Sequence, residues 1–222
     1  MDNQDQVEDI RRYGKRATSG QIECPLERCP RCHGSPPGGF RWHGVRARVF
    51  LVVVCAVVER VASYVTRWKC TCCGRTFTWY PEFALPFKRY VLGFIRTRCA
   101  GYVEDPACSY RSGVQDEGMP ICYEDPEEVK QLQPSTLWRW VSSLGNMRAT
   151  ACAALDLIKQ KDPGTGIFRA LGALHVAARK YRSEGRRRVL MGCLELVSID
   201  RVYVALFEVS VFPELATAHG WG

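Results

Sequence analysis

Two Cys-x-x-Cys pairs constrain the fold of this chain more than any other feature. The first pair is Cys29 and Cys32, the second is Cys70 and Cys73, and 37 residues lie between the pairs. At this spacing one tight turn, which we call a knuckle, can direct both sulfur atoms of a pair towards a single ion. Four thiolates in a closed tetrahedron favour Zn²⁺, whose binding energy replaces the large core that a small β unit lacks. We therefore predict a structural zinc site with these four ligands.

The residues around the two pairs leave alternatives open. Gly74 directly follows the second pair and suits the positive φ of a knuckle, whereas Gly34 lies one residue later than expected, after His33. Cys24 or Cys72 could replace one of the four ligands. An iron-binding, rubredoxin-like electron carrier would use the same ligand set. The basic surroundings and the length of the chain favour zinc.

The chain has twelve cysteines, and those outside the pairs give weaker signals. Its first twenty residues are charged and polar, unlike a secretory signal, so we expect a reducing cytoplasmic setting in which paired cysteines hold metal. Three cysteines could contribute to a second site that has no evident fourth ligand: Cys99, Cys108 and Cys122. Three others lie in apolar stretches and are expected in the core: Cys55, Cys152 and Cys193.

The charge is unevenly distributed along the chain. Basic side chains outnumber acidic ones by 31 to 23, which gives a net charge of +8. Residues 101–134 carry a net charge of −6, whereas residues 49–100 and 135–222 carry +6 and +5. A basic surface suits a polyanionic partner, and only the basic regions are expected to lie along phosphates. The charge therefore suits a polyanion such as duplex DNA, although many basic proteins bind none.

One apolar run, Val49–Val58, resembles part of a membrane span. It is only ten residues long, whereas a transmembrane helix needs about 20. Its β-branched residues favour buried strands, which we predict over Val45–Val54 and Val57–Trp68. No membrane partner is expected.

The pattern along the chain predicts an α+β protein, with an N-terminal zinc ribbon (a small antiparallel β unit) followed by a mainly α-helical region. Residues 1–23 are predicted to be a flexible tail, 24–80 the zinc ribbon, 81–146 a helical region with a helix-turn-helix, and 147–222 a C-terminal helical region. Apolar periodicity predicts helices over Phe87–Thr97, Pro126–Leu132, Ser135–Leu144, Met147–Gln160, Ile167–Ser183 and Val189–Val211.

The segment around Arg139 has the pattern of a DNA recognition helix. Ser135 can cap its N-terminus, apolar residues recur at helical spacing, and Gly145 is a suitable residue to end it. With Pro126–Leu132 before it, the segment would complete a helix-turn-helix in which Arg139 pairs with guanine. The alternative is a plain amphipathic helix with a solvated Arg139. The residues expected to face DNA are Ser135, Thr136, Trp138, Arg139 and Ser142.

A second basic stretch lies further along the chain. As a stripe that contacts phosphates, it would strengthen DNA binding and make it strongly salt dependent. As an alternative, it is a solvated helix end and loop. Its members are Arg179, Lys180, Arg182, Arg186, Arg187 and Arg188.

Together these stretches resemble the zinc-ribbon plus helix-turn-helix DNA-binding region of bacterial insertion-sequence transposases and related small uncharacterised proteins. The resemblance covers roughly residues 24–145, and its most specific part is the Cys-Gly-Arg-Thr-Phe-Thr stretch that starts at Cys73. It implies binding to the ends of a mobile element, or regulation derived from it. It also implies that the four paired cysteines are ligands and that Arg139 lies near DNA.

Transposases of this kind continue into a catalytic domain with spaced carboxylates, for which the rest of this chain offers no strand-based scaffold. Asp156, Asp200 and Glu208 are expected to be solvated charges on helices. We therefore expect a DNA-binding protein that is not an enzyme, with a second copy or a recombination protein as candidate partner. The alternatives are a protein-interaction or RNA-binding zinc ribbon, and the DNA-binding subunit of a recombinase whose catalytic domain is elsewhere.

Overall fold

The computed structural model of the protein describes residues 3–123 and 130–212. In these ranges it contains six α-helices and a small β-sheet, so the predicted α+β class is confirmed. Its contacts divide the chain into two compact units. The first comprises the residues up to Val54, Val58–Leu92 and Phe212, and the second comprises Cys55–Val57 and Gly93–Val211.

Helix α1 (Asn3–Thr18) belongs to the first unit and packs against its first strand. The prediction of a flexible tail is therefore wrong for these residues. The hydroxyl of Ser63 donates a hydrogen bond of 2.9 Å to the carbonyl of Ile10, which fixes the helix to the sheet. The sequence pattern does not indicate this helix, because its apolar stripe is only one residue wide on an otherwise polar surface. The buried face consists of Val7, Ile10, Gly14 and Ala17.

Three neighbouring strands form the sheet of the first unit: β1 (Arg41–Val54), β2 (Val57–Lys69) and β3 (Thr76–Trp79). The two long strands agree with the predicted ones. Cys55 and Ala56 connect them and have φ values of 49° and 62°, as in a two-residue type I′ hairpin turn. This hairpin brings the start of β1 and the end of β2 to the same end of the sheet, and each of these ends adjoins a knuckle.

An apolar cluster lies at this end of the sheet. Trp68 of β2 is paired with Phe77 of β3 in the antiparallel register, and both side chains are buried. The ring of Phe40, just before β1, contacts that of Phe77 edge-on at 5.0 Å between centroids. The cluster thus lies where the start of β1, the end of β2 and β3 meet, next to the two knuckles. It consists of Leu26, Trp68, Phe77 and Trp79, with Cys24 and Phe40 packed against it.

The second unit is mainly helical. Its longest helix, α6, packs against α3, α4 and α5. Its helices are α2 (Leu92–Glu104), α3 (Pro134–Gly145), α4 (Arg148–Lys161), α5 (Ile167–Gly172) and α6 (Glu184–Phe207), and its short strands are β4 (Gln115–Asp116), β5 (Met119–Pro120) and β6 (Cys122–Tyr123). None of the helices in the described ranges has the length and apolar composition needed to cross a bilayer.

The helix predictions differ in how well they match. The predictions for α3 and α4 are correct to within about a residue. Helix α2 begins five residues later than predicted, because residues 81–91 form a connector tied to β1 by hydrogen bonds of Leu51 with Arg89 and Val91. Helix α5 ends at Gly172, well before the predicted Ser183.

Gly145 allows helices α3 and α6 to approach closely. A Cβ atom on Gly145 would lie 2.1 Å from the carbonyl oxygen of Val189, and one on Gly192 would lie 2.4 Å from the carbonyl oxygen of Gly145. Gly145 is the last residue of α3 and has no positive φ, and Asn146 follows as the cap. Gly145 therefore serves the close packing of α3 against α6, and its predicted role in ending the helix through a positive φ is not observed.

Candidate metal centre and nucleic-acid contacts

The two knuckles have the same backbone geometry. In the first, the amide of Cys29 donates to the carbonyl of Gly34, and the carbonyl of Cys29 accepts from the amide of His33, both at 2.9 Å. In the second, Cys70 makes the same pair of hydrogen bonds, with Arg75 and Gly74, also at 2.9 Å. The backbone turns at both sites, so that the two cysteines of each pair face the same point.

His33 and Gly74 occupy equivalent positions, and both have a positive φ, of 58° and 69°. Gly34, one residue later, does not have a positive φ, so His33 takes the place that glycine holds in the second knuckle. Histidine is among the residues that adopt this conformation more readily than most, so the first knuckle closes without a glycine there. His33 and His43 are both exposed, so both face solvent.

The knuckles bring the four predicted ligands together. The Sγ atoms of Cys29 and Cys73 are 3.9 Å apart, as are those of Cys32 and Cys70, and all four lie within 4.8 Å of one another. A tetrahedral ion with metal–sulfur bonds of about 2.3 Å needs sulfur atoms about 3.8 Å apart. This group can therefore hold a metal ion, although the spacing does not by itself select the metal.

The thiols of this group influence each other's ionisation. The backbone hydrogen bond from Cys73 is the main cause that lowers the pKa of Cys70, to about 7. A backbone hydrogen bond from Gly34 lowers the pKa of Cys32, but desolvation and hydrogen bonds to the three other thiols raise it to about 12. One thiolate thus forms readily, whereas the accumulation of negative charge opposes the last one. A bound cation would remove that opposition.

The remaining cysteines lie outside this group. Cys24 packs against the apolar cluster, and Cys72 lies on the exposed side of the second knuckle. Within residues 3–123 and 130–212 the paired cysteines are the one group of three or more metal-ligating side chains close enough to share an ion, so Cys99, Cys108 and Cys122 form no such group. Cys193 is buried as predicted, but Cys55 and Cys152 are exposed, on a hairpin turn and a helix surface.

Four exposed basic residues that are not among the predicted contact residues border the knuckles. They adjoin the paired cysteines or lie within two residues of them, which was the available signal. Among residues 27–34 and 69–75, Glu27 is the one acidic side chain. The surface around the four-cysteine group is therefore cationic. The four residues are Arg28, Arg31, Lys69 and Arg75.

The proposed helix-turn-helix is only partly visible. Helix α3 is present, but its N-terminal cap is Gln133, and Pro134 occupies the first turn, so Ser135 is not the cap. Of the preceding segment, Pro126–Leu132, only residues 130–132 are described. They are extended, because Gln131 bridges to Cys122 of β6. The rest of this predicted helix lies outside the described residues.

Helix α3 presents its predicted contact residues unequally. Leu137, Trp140, Val141 and Leu144 are buried, as their spacing predicted. Ser135 and Arg139 are exposed, and Thr136 is half-buried. The hydroxyl of Ser142 is buried without a partner and thus does not face solvent. Arg139 is the basic side chain that α3 offers to a ligand.

Trp138 is half-buried and packs against Arg186. The guanidinium carbon of Arg186 lies 3.3 Å from the centroid of the Trp138 ring and 5.2 Å from that of Tyr110. Arg186 also donates a hydrogen bond to the hydroxyl of Tyr110. This planar cation therefore links α3, α6 and the loop after α2.

Two more residues of the basic stretch serve the fold. Arg179 donates to the carbonyl of Pro106, at 3.0 Å from Nε. The ammonium of Lys180 donates to the carbonyls of Tyr102 and Cys108, and desolvation by burial lowers its pKa. Arg187 pairs with Glu184 on the surface, at 3.2 Å. Arg182 and Arg188 are exposed, so these two and Arg187 are the members that a phosphate can reach.

The three carboxylates considered above differ in environment. Asp156 and Glu208 are exposed as predicted, but Asp200 is only 2% exposed. Its Oδ1 accepts hydrogen bonds from the hydroxyl of Ser210 and the amide of Val211, and its Oδ2 accepts one from Arg96 at 2.8 Å. The prediction that Asp200 is solvated is wrong: it fixes the chain that follows α6.

No family model matches this chain, and no curated protein or solved structure matches it either. The resemblance to transposase DNA-binding regions therefore rests on the residues themselves. The structure adds one observation that does not depend on this resemblance, which is the group of four neighbouring cysteines.

Proposed function

We propose that this chain is a zinc protein without enzymatic activity that binds duplex DNA. The observation that carries the proposal is the convergence of four cysteine sulfur atoms, all within 4.8 Å of one another, from two equivalent knuckles. Four protein thiolates fill the coordination of zinc and leave no position for a substrate or an activated water, which is the pattern of a structural site.

Zinc would act as a cross-link at one end of the sheet. It would join the loop before β1 to the connection between β2 and β3, where the apolar cluster of Leu26, Trp68, Phe77 and Trp79 is small. The binding energy of such a site is folding energy, since the four thiolates are brought together only in the folded state.

The DNA half of the proposal is supported by the cationic side chains that remain exposed. In the first unit they border the knuckles, and in the second unit they include Arg139, Arg182 and Arg188. These side chains have no ion pair among the described residues, so they can neutralise phosphates and release counterions. The resemblance noted above points to the same partner.

The first experiment measures metal content and DNA affinity in the same preparation. Purified full-length protein should contain one zinc ion per chain by elemental mass spectrometry. Fluorescence anisotropy with a labelled duplex should show binding that weakens steeply as salt rises, by a slope of about 0.9 per phosphate contact on logarithmic axes. Absence of zinc, or binding that ignores salt, would contradict the proposal.

A matched pair of variants tests the role of helix α3. Arg139→Ala removes an exposed cation, whereas Arg201→Ala removes one that is already held by both oxygens of Glu104. The two substitutions change the net charge equally, so they differ only in whether the removed cation is available to DNA. We therefore expect the first to weaken duplex binding by about tenfold and the second to leave it unchanged. If both substitutions changed the affinity for duplex DNA equally, Arg139 would not be a contact residue.

The same assay separates the alternatives. Tighter binding to RNA than to duplex DNA of the same sequence would favour an RNA-binding ribbon. Stable co-purification of a nuclease or integrase subunit would favour the DNA-binding subunit of a recombinase.

A further inference from the structure

Phe87 stands in a backbone position that normally requires glycine. The amide of Lys88 donates to the carbonyl of Leu85 at 3.2 Å, which closes a four-residue turn with Pro86 and Phe87 at its centre. Phe87 has a φ of 60°. Proline second and a positive φ third are the features of a type II turn, in which the third residue is usually glycine or asparagine. A bulky aromatic residue there is strained.

The other positive φ values among the described non-glycine residues have ordinary local causes. Cys55 and Ala56 form one hairpin turn, and Glu117 begins another between β4 and β5. His33 closes a knuckle, and Glu208 caps the end of α6. Phe87 ends no helix and lies in neither hairpin nor knuckle, so local chain geometry does not account for an aromatic residue there.

Arg48 stabilises the turn through hydrogen bonds to its first and last residues. The guanidinium of Arg48 donates to the carbonyl of Leu85 at 3.2 Å and to the carbonyl of Lys88, on either side of Phe87. It also lies over the rings of Phe50 and Tyr80, at 5.5 and 5.2 Å from their centroids. This half-buried arginine fixes both ends of the turn, so the strained conformation is maintained by the surrounding fold.

The side chain that this scaffold presents is itself almost free of contacts. Phe87 is 82% exposed, the highest value among the exposed large apolar residues of the described chain. Burial therefore does not repay the backbone strain within this protein. An exposed aromatic ring on a strained backbone, in a turn that hydrogen bonds hold in place, has the properties of a contact residue.

The charge around Phe87 indicates the kind of partner. The next residues are Lys88 and Arg89, of which Arg89 is exposed, and Arg89 and the exposed Arg46 are close enough for their positive charges to act on Arg48. An apolar pocket on another protein would not require this charge. A nucleic acid would, because its phosphates pair with cations while the face of a base stacks on an aromatic ring.

We propose that Phe87 stacks on a base of the bound nucleic acid and that the Pro86–Phe87 turn is the element that presents it. The inference rests on the proposed function and adds a contact that the recognition helix does not provide. In a single strand the base is already accessible, whereas in a duplex the ring would insert at an opened base step.

The test compares Phe87→Gly, Phe87→Tyr and a control, Phe168→Ala, which removes another exposed phenylalanine, in helix α5. Each full-length protein is titrated with oligonucleotides, single-stranded and duplex, that carry the fluorescent base 2-aminopurine. Thermal unfolding is recorded for the same preparations.

Phe87→Gly should weaken binding by about 5- to 150-fold and abolish the change in 2-aminopurine fluorescence, as expected for the loss of one stacked base. Its melting temperature should be equal to or above that of the wild type, because glycine accepts the positive φ. Phe87→Tyr should retain binding, and Phe168→Ala should leave it unchanged.

Wild-type affinity and fluorescence in Phe87→Gly would overturn the inference while leaving the proposed function intact. A response in the single-stranded arm alone would restrict stacking to unpaired bases. Failure of the wild type to bind either oligonucleotide would overturn both the inference and the proposed function. A melting temperature well below that of the wild type would show that Phe87 stabilises the fold, and this also contradicts the inference.

Discussion

Cys29 and Cys70 occupy equivalent positions, since each begins a knuckle with the same two backbone hydrogen bonds of 2.9 Å. The equivalence assigns a place to every neighbouring residue. Cys72 corresponds to Arg31, the residue just before the second cysteine of each pair, and its sulfur atom is not among the four that lie within 4.8 Å of one another. The alternative in which Cys72 replaces a ligand is therefore the one that the geometry disfavours.

We predict that Cys32→Ser abolishes stable zinc binding, whereas Cys72→Ser does not. Both cysteines are exposed, so the two substitutions disturb packing to a similar, small extent. The removal of one of four thiolates opens the coordination of zinc, and the protein should then lose metal to a chelator and melt at a lower temperature. Elemental analysis after dialysis against chelator measures the first effect. Retention of zinc by Cys32→Ser together with its loss from Cys72→Ser would reverse the assignment.

We predict that Gly145→Ala and Gly192→Ala each destabilise the second unit by about 2 kcal/mol or more. The added Cβ atom would meet backbone oxygen at 2.1 Å or 2.4 Å, and backbone cannot move aside as a flexible side chain can. Gly101→Ala in α2 is the control, because its Cβ atom would meet nothing within 4 Å. This change should raise stability by about 0.5 to 1 kcal/mol, as alanine does in a helix. Urea unfolding followed by circular dichroism distinguishes the two directions.

We predict that Asp200→Ala lowers the free energy of unfolding by about 2 to 4 kcal/mol. The substitution leaves the amide of Val211 and the hydroxyl of Ser210 without their buried acceptor and breaks the ion pair with Arg96. Arg96 is 40% exposed and can be hydrated, so the lower part of this range is expected. Asp156→Ala, on the exposed face of α4, should change stability by no more than about 0.5 kcal/mol. Equal effects would show that the Asp200 interactions contribute nothing.

We predict that alkylation of Cys24 accelerates continuously up to about pH 11. Burial against the apolar cluster raises the pKa of this thiol to about 11, although a backbone hydrogen bond with Leu26 opposes the shift. Below that pH the unreactive thiol predominates, and each rise of one pH unit should increase the rate about tenfold. Peptide mass spectrometry after short iodoacetamide pulses follows Cys24 separately from the four ligands, which bound zinc protects. A rate that levels off near pH 9 would contradict the raised pKa.

Local sequence patterns predicted a large part of the fold because their causes are local. The two knuckles follow from Cys-x-x-Cys spacing, and the β1–β2 hairpin follows from a run of β-branched residues. Helices α3 and α4 follow from apolar residues at a spacing of three and four. The errors arose where the local signal was weak. Helix α1 has a narrow apolar stripe, and the start of α2 depends on hydrogen bonds to β1.

The basic stretch shows why the candidate contacts could not all be predicted. Arg179, Lys180 and Arg186 have the same composition and spacing as a phosphate-binding stripe. Their partners, Pro106, Cys108 and Tyr110, lie more than seventy residues away in sequence. Only the folded chain brings these groups together, and it thereby separates cations that hold the structure from those that a ligand can reach.

The sequence by itself determined the four-cysteine group, because two cysteine pairs at fixed spacing can converge on one point through short-range turn geometry. The tertiary structure decided the environment of each remaining polar or aromatic residue. Asp200 became buried, Trp138 became covered by Arg186, and Phe87 became exposed on a turn that Arg48 fixes. The physical reason is that burial and hydrogen bonding depend on groups distant in sequence, which no local periodicity records.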